Sequence, residues 1–113
     1  MKIDFSSIEE TKMHEFKGGV GDTFLKMHVD EQGKIMLGRL PHGCTIGMHT
    51  HETDCEIIYI VSGTADFLYD DTKETVPAGS SHYCPVGHRH SMINDHEEDV
   101  VFFATVRTAG GAC

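Results

Sequence analysis

Between Thr23 and Arg107 the chain is a succession of short runs, many alternating apolar with polar residues, each closed by turn-forming residues. Residues 23–29 and 34–40 read as two strands joined by Asp30-Glu31-Gln32-Gly33, a hairpin connection with glycine at its end, and Pro41 closes the second. The apolar run Ile57-Ile58-Tyr59-Ile60-Val61 is followed by a tight turn at Ser62-Gly63, after which residues 64–69 alternate as a returning strand. Asp70-Asp71-Thr72-Lys73 turns the chain again, and a short strand over residues 74–76 stops at Pro77-Ala78-Gly79. Pro85-Val86-Gly87 bends the backbone so that residues 88–93 can run as a strand. Residues 99–107 form the last one by their β-branched and aromatic content. Short strands between turn signals, with no long amphipathic helix, predict an all-β barrel or jelly roll.

The ends carry less pattern. Ser6 with Glu9 and Ser7 with Glu10 repeat the capping-box spacing, so residues 6–16 are read as a short helix start, with an irregular arm or an edge strand as the alternative. Glycines in residues 17–22 make a flexible turn. The expected organisation is a single domain over residues 1–113: an N-terminal arm (1–22), a β-barrel (23–107) and a flexible tail (108–113).

Chemistry concentrates in two stretches. His49 and His51, two residues apart on a strand, project from one face about 7 Å apart, and a turn at residues 52–54 can fold Glu56 back beside them. Two neutral imidazoles and a carboxylate suit Mn, Fe, Co, Ni, Cu or Zn better than Ca or Mg. The second stretch, residues 79–94, brings Pro85-Val86-Gly87, His90 and Asn94. Gly43, His49, His51, Glu56 and Gly63, followed by Gly79, Pro85, Gly87, His90 and Asn94, fill every position of a paired signature, and in this the chain resembles the cupin family.

The resemblance implies a double-stranded β-helix, or jelly-roll barrel, with His49, His51, Glu56 and His90 pointing inward onto one divalent transition metal (Mn, Fe, Ni, Zn or Cu). Glu56 is also the candidate acid or base, should it leave the metal. Four protein ligands leave one or two positions open, which permits dioxygenase-type chemistry or Lewis-acid isomerase or lyase chemistry on a small oxygenated metabolite. The alternative is a non-catalytic protein that binds an organic acid or a sugar, and a regulatory domain ranks third. His88 shares the face of His90 if the strand has already begun, which makes it a rival ligand, whereas His82 is expected on the rim. His14, His28 and His42 are read as solvated.

The pocket should be mostly apolar, built from Ile58, Ile60, Phe67, Met92 and one face of the last strand, either Val100, Phe102, Ala104 and Val106 or Val101, Phe103 and Thr105. Met36, Arg39, Met48 and Tyr83 are candidates for its mouth. Arg39 is either a carboxylate anchor or a surface arginine. The jelly roll's own apolar core, independent of any metal, is expected from Ile57, Tyr59, Val61, Phe67, Val76, Val101 and Phe103.

The net charge of −9 disfavours nucleic acid and anionic membrane as partners and leaves a small molecule. The first residues lack a signal peptide's apolar segment, so a cytoplasmic location is expected. Cys44, Cys55, Cys84 and Cys113 show no C-x-x-C spacing and are expected to be reduced, small buried side chains. Unpaired strands of a small open barrel predict a homodimer.

Overall fold

The computed structural model describes residues 1–108. Ten strands follow one another: β1 (Thr11–His14), β2 (Asp22–Asp30), β3 (Gly33–Leu40), β4 (Thr45–Thr50), β5 (Asp54–Ser62), β6 (Thr64–Tyr69), β7 (Thr72–Pro77), β8 (Ser81–Cys84), β9 (Arg89–Ile93) and β10 (Val100–Thr108). They pair antiparallel into a six-stranded sheet, ordered β1-β2-β3-β10-β5-β8, and a four-stranded sheet, ordered β4-β9-β6-β7. Such an arrangement is a double-stranded β-helix, the jelly roll expected from the strand pattern. Among the described residues no helix is long and apolar enough to cross a membrane.

The N-terminal segment departs from the expected helix start. Phe5–Ser7 makes a single 3-10 turn, capped by Asp4, whose carboxylate accepts from the Ser6 backbone N–H at 3.1 Å, and Phe16–Gly18 makes another. Thr11–His14 instead pairs with β2, in register from Thr11 opposite Leu25 to His14 opposite Asp22. The free edge of β2 offers these residues a ladder, and Met13 packs against the core. The alternative reading of an edge strand is therefore the one realised. At the other end β10 continues to Thr108, one residue beyond the expected barrel, and residues 109–113 of the expected tail lie outside the described residues.

Alternation decides which side chains are inside. On β5, Glu56, Ile58 and Ile60 are buried while Ile57, Tyr59 and Val61 are exposed. On β10 the buried set is Val100, Phe102, Ala104 and Val106. The expectation that Ile57, Tyr59, Val61, Val101 and Phe103 belong to the core fails, because a two-layered sandwich has one interior and these residues have the opposite parity. Phe67 and Val76 are buried as expected, alongside Leu40 and Leu25. Gly38 on β3 makes room for one of these side chains: a Cβ there would lie 2.2 Å from the Phe102 ring.

Candidate metal centre

Local backbone structure brings the two signature stretches together. His49 on β4 stands directly opposite His90 on β9. His51 follows β4 and is tied to the turn before β9 in both directions: its N–H donates to the His88 carbonyl at 2.9 Å, and its carbonyl accepts from Gly87 N–H at 2.7 Å. Glu56 comes in from the other sheet on β5. Gly87 has a φ of +87°, a left-handed conformation that the turn requires and that glycine adopts without cost.

Four side chains meet as a result. The donor atoms of His49, His51, Glu56 and His90 all lie within 4.8 Å of one another. His90 Nε2 is 2.9 Å from His51 Nε2, 3.1 Å from His49 Nε2 and 3.0 Å from Glu56 Oε1, and His51 Nε2 is 3.3 Å from the same carboxylate oxygen. Spacings near 3 Å match the edges of a coordination polyhedron with bonds of about 2.0–2.2 Å. The outer nitrogens are also engaged: His49 Nδ1 meets the Gly47 carbonyl at 2.8 Å, and His51 Nδ1 meets Asp54 Oδ1 at 2.6 Å. Since a carbonyl and a carboxylate can only accept, each ring can keep a proton on Nδ1, and an Nε2 without a proton of its own then offers the lone pair that a metal ligand needs. The residues fit a divalent transition metal.

The same contacts set the electrostatics of the metal-free cluster. Burial opposes the charge on Glu56, but hydrogen bonds from His51 and His90 outweigh it and hold the carboxyl down at about 2. Burial, with the neighbouring His90 and His51, lowers His49. His51 is also opposed by burial, yet its bonds to Glu56 and Asp54 raise it. Cys84, fully buried, has its thiol pushed up to about 12 by desolvation and the nearby carboxylates, so it is an inert neighbour of the cluster. Cys44 and Cys84 are free thiols, whereas Cys55 is disulfide-bonded, which corrects the expectation of four reduced cysteines.

The four side chains line a cavity of about 280 Å³, whose wall includes Met36, Ile58, Met92 and Phe102. Arg39 is elsewhere: its guanidinium stacks 4.1 Å over the Phe24 ring and pairs with Glu10 at 3.3 Å and Asp99 at 3.7 Å. Alternation on β3 turns Met36 inward and Arg39 outward. Met48 and Tyr83 are likewise exposed and absent from the cavity wall. Residues that the strand pattern did not single out complete the lining, among them Phe16, Lys17, Leu25, Met27 and Lys34.

Two histidines behave differently from their sequence reading. His88 precedes β9, whose first residue is Arg89, so it leaves the cluster and pairs with Asp70 at 2.6 Å. His82, expected on the rim, is 1% exposed. Its ring stacks on Phe67 with centroids 4.0 Å apart, its Nε2 meets His90 Nδ1 at 3.0 Å and its Nδ1 meets Glu74 Oε1 at 2.5 Å. The signal was the alternation of β8 itself, exposed Ser81 and Tyr83 against buried His82 and Cys84.

A family model described as a cupin domain matches residues 36–106, well over half of the chain. The chain belongs to the cupin family. It is 27% identical to a curated relative named oxalate-binding protein from Thermotoga maritima, an alignment that covers 94% of this chain and 93% of the relative. Among solved structures, a predicted oxalate decarboxylase from Thermotoga maritima superposes with a TM-score of 0.90 at 24% identity, over 96% of this cupin and all of that chain. A sugar phosphate isomerase of the cupin superfamily from Silicibacter pomeroyi gives 0.79 at 18% identity, over 96% of this chain and 76% of that one. At these identities the solved structures speak for the cupin fold alone.

Proposed function

We propose that His49, His51, Glu56 and His90 hold one divalent transition metal, Mn, Fe, Ni, Zn or Cu, and that this cupin is a metal-dependent enzyme acting on a small oxygenated metabolite. One observation carries the reading: the four convergent donors also form part of the cavity wall, so a ligand in the cavity reaches whatever they hold. When bound, such an ion supplies Lewis acidity, and redox chemistry with dioxygen if it is redox-active. The chain's own part is to shape and orient. Ile58, Met92 and Phe102 exclude water from one side of the cavity, and Asp54 and the Gly47 carbonyl fix the faces of His51 and His49. Glu56, held ionised, is the group within reach to take a proton from a ligand.

The name of the curated relative favours a second reading, a cupin that binds an organic acid such as oxalate without converting it. Elemental analysis of protein purified without added metal, followed by assays on oxalate, α-hydroxy acids, diketones, sugar acids and thiols, separates the two. We expect close to one metal per chain and turnover of at least one compound. Binding by calorimetry with no turnover establishes the second reading, and failure to take up any of the five metals overturns both.

A homodimer belongs to the same proposal. Ile57, Tyr59 and Val61 lie exposed on β5, and Tyr83, opposite Ile57 in register, lies exposed on β8, the free edge of its sheet. An apolar stripe beside an open edge suits a second copy of the chain.

A further inference from the structure

The three histidines of the cluster are not held alike. His49 presents Nδ1 to the Gly47 carbonyl, which can only accept, and His51 has a carboxylate at each nitrogen, Asp54 at 2.6 Å from Nδ1 and Glu56 at 3.3 Å from Nε2, of which the nearer holds the proton of a neutral ring outside. His90 presents Nδ1 to the Nε2 of another histidine, His82, at 3.0 Å, and that nitrogen could donate or accept. If it donated, His90 would carry its proton on Nε2, among the Nε2 atoms of His49 and His51 and the Oε1 of Glu56, with no lone pair to offer.

Glu74 removes the ambiguity. Its Oε1 lies 2.5 Å from His82 Nδ1, so the proton of a neutral His82 ring sits on Nδ1 and its Nε2 can only accept. The ring is 1% exposed and stacked on Phe67, which holds it in that orientation between Glu74 and His90. We propose that Glu74 and His82 are positioning residues that set the tautomer of His90: Glu74 accepts from His82 Nδ1–H, His82 Nε2 accepts from His90 Nδ1–H, and His90 Nε2 is left free to ligate. The inference rests on the metal-centre reading above. It extends that centre to a half-exposed carboxylate on β7, and so to two strands that contribute none of the four donors.

A plainer role competes with it. β7 is one edge of the four-stranded sheet and β8 one edge of the six-stranded sheet, so the Glu74–His82 bond also staples these two edges together. A staple alone would affect stability and leave both the tautomer and metal affinity unchanged.

Two-bond proton–nitrogen NMR spectra of the full chain, labelled with nitrogen-15 histidine and stripped of metal by chelator, read the protons directly. We expect His82 to be protonated on Nδ1 alone and His90 to carry a proton on Nδ1; a His90 protonated only on Nε2 overturns the proposal. Titration with Co(II), followed by its visible absorption, gives the second readout. His82→Phe keeps a flat ring on Phe67 but lacks the acceptor, and should weaken Co(II) binding by about 10- to 100-fold and alter the band shape. Glu74→Gln should weaken it by a smaller factor, and its half-exposed position keeps this variant informative if His82→Phe fails to fold. Affinity and spectrum unchanged in the folded variants overturn the proposal. If the parent binds no Co(II), the metal-centre reading is what fails, and the NMR measurement alone decides the tautomer.

Discussion

Strand β5 is apolar on both faces and covered on only one. Ile58 and Ile60 are 3% and 0% exposed, whereas Ile57, Tyr59 and Val61, side chains of similar or greater apolar size, are 46%, 43% and 49% exposed. Hydrophobicity does not distinguish the two sets. What separates them is parity with Glu56: the face that carries the carboxylate is the face that closes over the interior, and a one-residue slip would exchange the two apolar sets and turn the carboxylate away from the histidines. The charged residue is thus the better marker of the inside of this strand.

The sharpest way to break that comparison is to truncate both faces. Ile60→Ala should cost about 2–5 kcal/mol by urea unfolding, because it leaves a cavity in a closed core. Ile57→Ala should stay within about 0.5 kcal/mol under conditions where the protein is monomeric. Equal losses would mean that the outer face is covered in the folded monomer.

Next in size is the effect of removing a donor from the inner face. His51→Ala should remain β-rich by circular dichroism, since the apolar core does not depend on that ring, but retain a small fraction of the parent's metal and lose any turnover. A variant with full metal content would take His51 out of the ligand set. One that unfolds would make the metal structural.

Acid tests the same polar inner face. The stability that Glu56 contributes is present above the ordinary value of 4.5 and is lost as pH falls toward about 2. His49 and His82 are lowered, so their contribution is present above 6.5 and lost as pH drops further; His51 is raised and works the other way, contributing below 6.5 and less above it. Metal-free protein should therefore lose stability when acidified from about pH 7 to 3, most steeply below 4.5. A urea midpoint that rose across this range would show that the histidine–carboxylate contacts do not stabilise the metal-free fold.

The smallest effect on stability should come from Tyr59→Ser on the outer face, which should nevertheless shift the mass from dimer to monomer by light scattering. A parent that is monomeric at micromolar concentration would remove the stripe from consideration as an interface.

How much of this was legible in the chain follows from the same parity. Turn residues such as Gly63 and Pro77 marked strand limits well, since they constrain the backbone wherever they stand. The spacing of His49, His51 and Glu56, with His90 downstream, named the residues that converge, because those side chains report a face as well as a strand. Long-range pairing was not legible. Nothing local in Thr11–His14 says that β2 has a free edge for it, and the capping-box spacing beside it pointed to a helix. His82 and Arg39 were misplaced for a related reason: each needed the first residue of its strand, Ser81 or Gly33, to be fixed before inward and outward could be assigned.

Phe16 and Lys17 reach the cavity because the backbone around Gly19 rests directly on β4. A Cβ on Gly19 would lie 2.1 Å from the Thr45 carbonyl oxygen, and one on Gly47 would lie 2.0 Å from that of Lys17. With Leu25, Met27 and Lys34, these residues form a part of the wall that precedes residue 36, where the match to the family begins, while all four convergent donors lie after it. The first 35 residues therefore shape part of the cavity without supplying any of the four convergent donors. Exchanging the first 35 residues for those of another cupin would alter that part of the wall and leave the four donors and the rest of the lining in place.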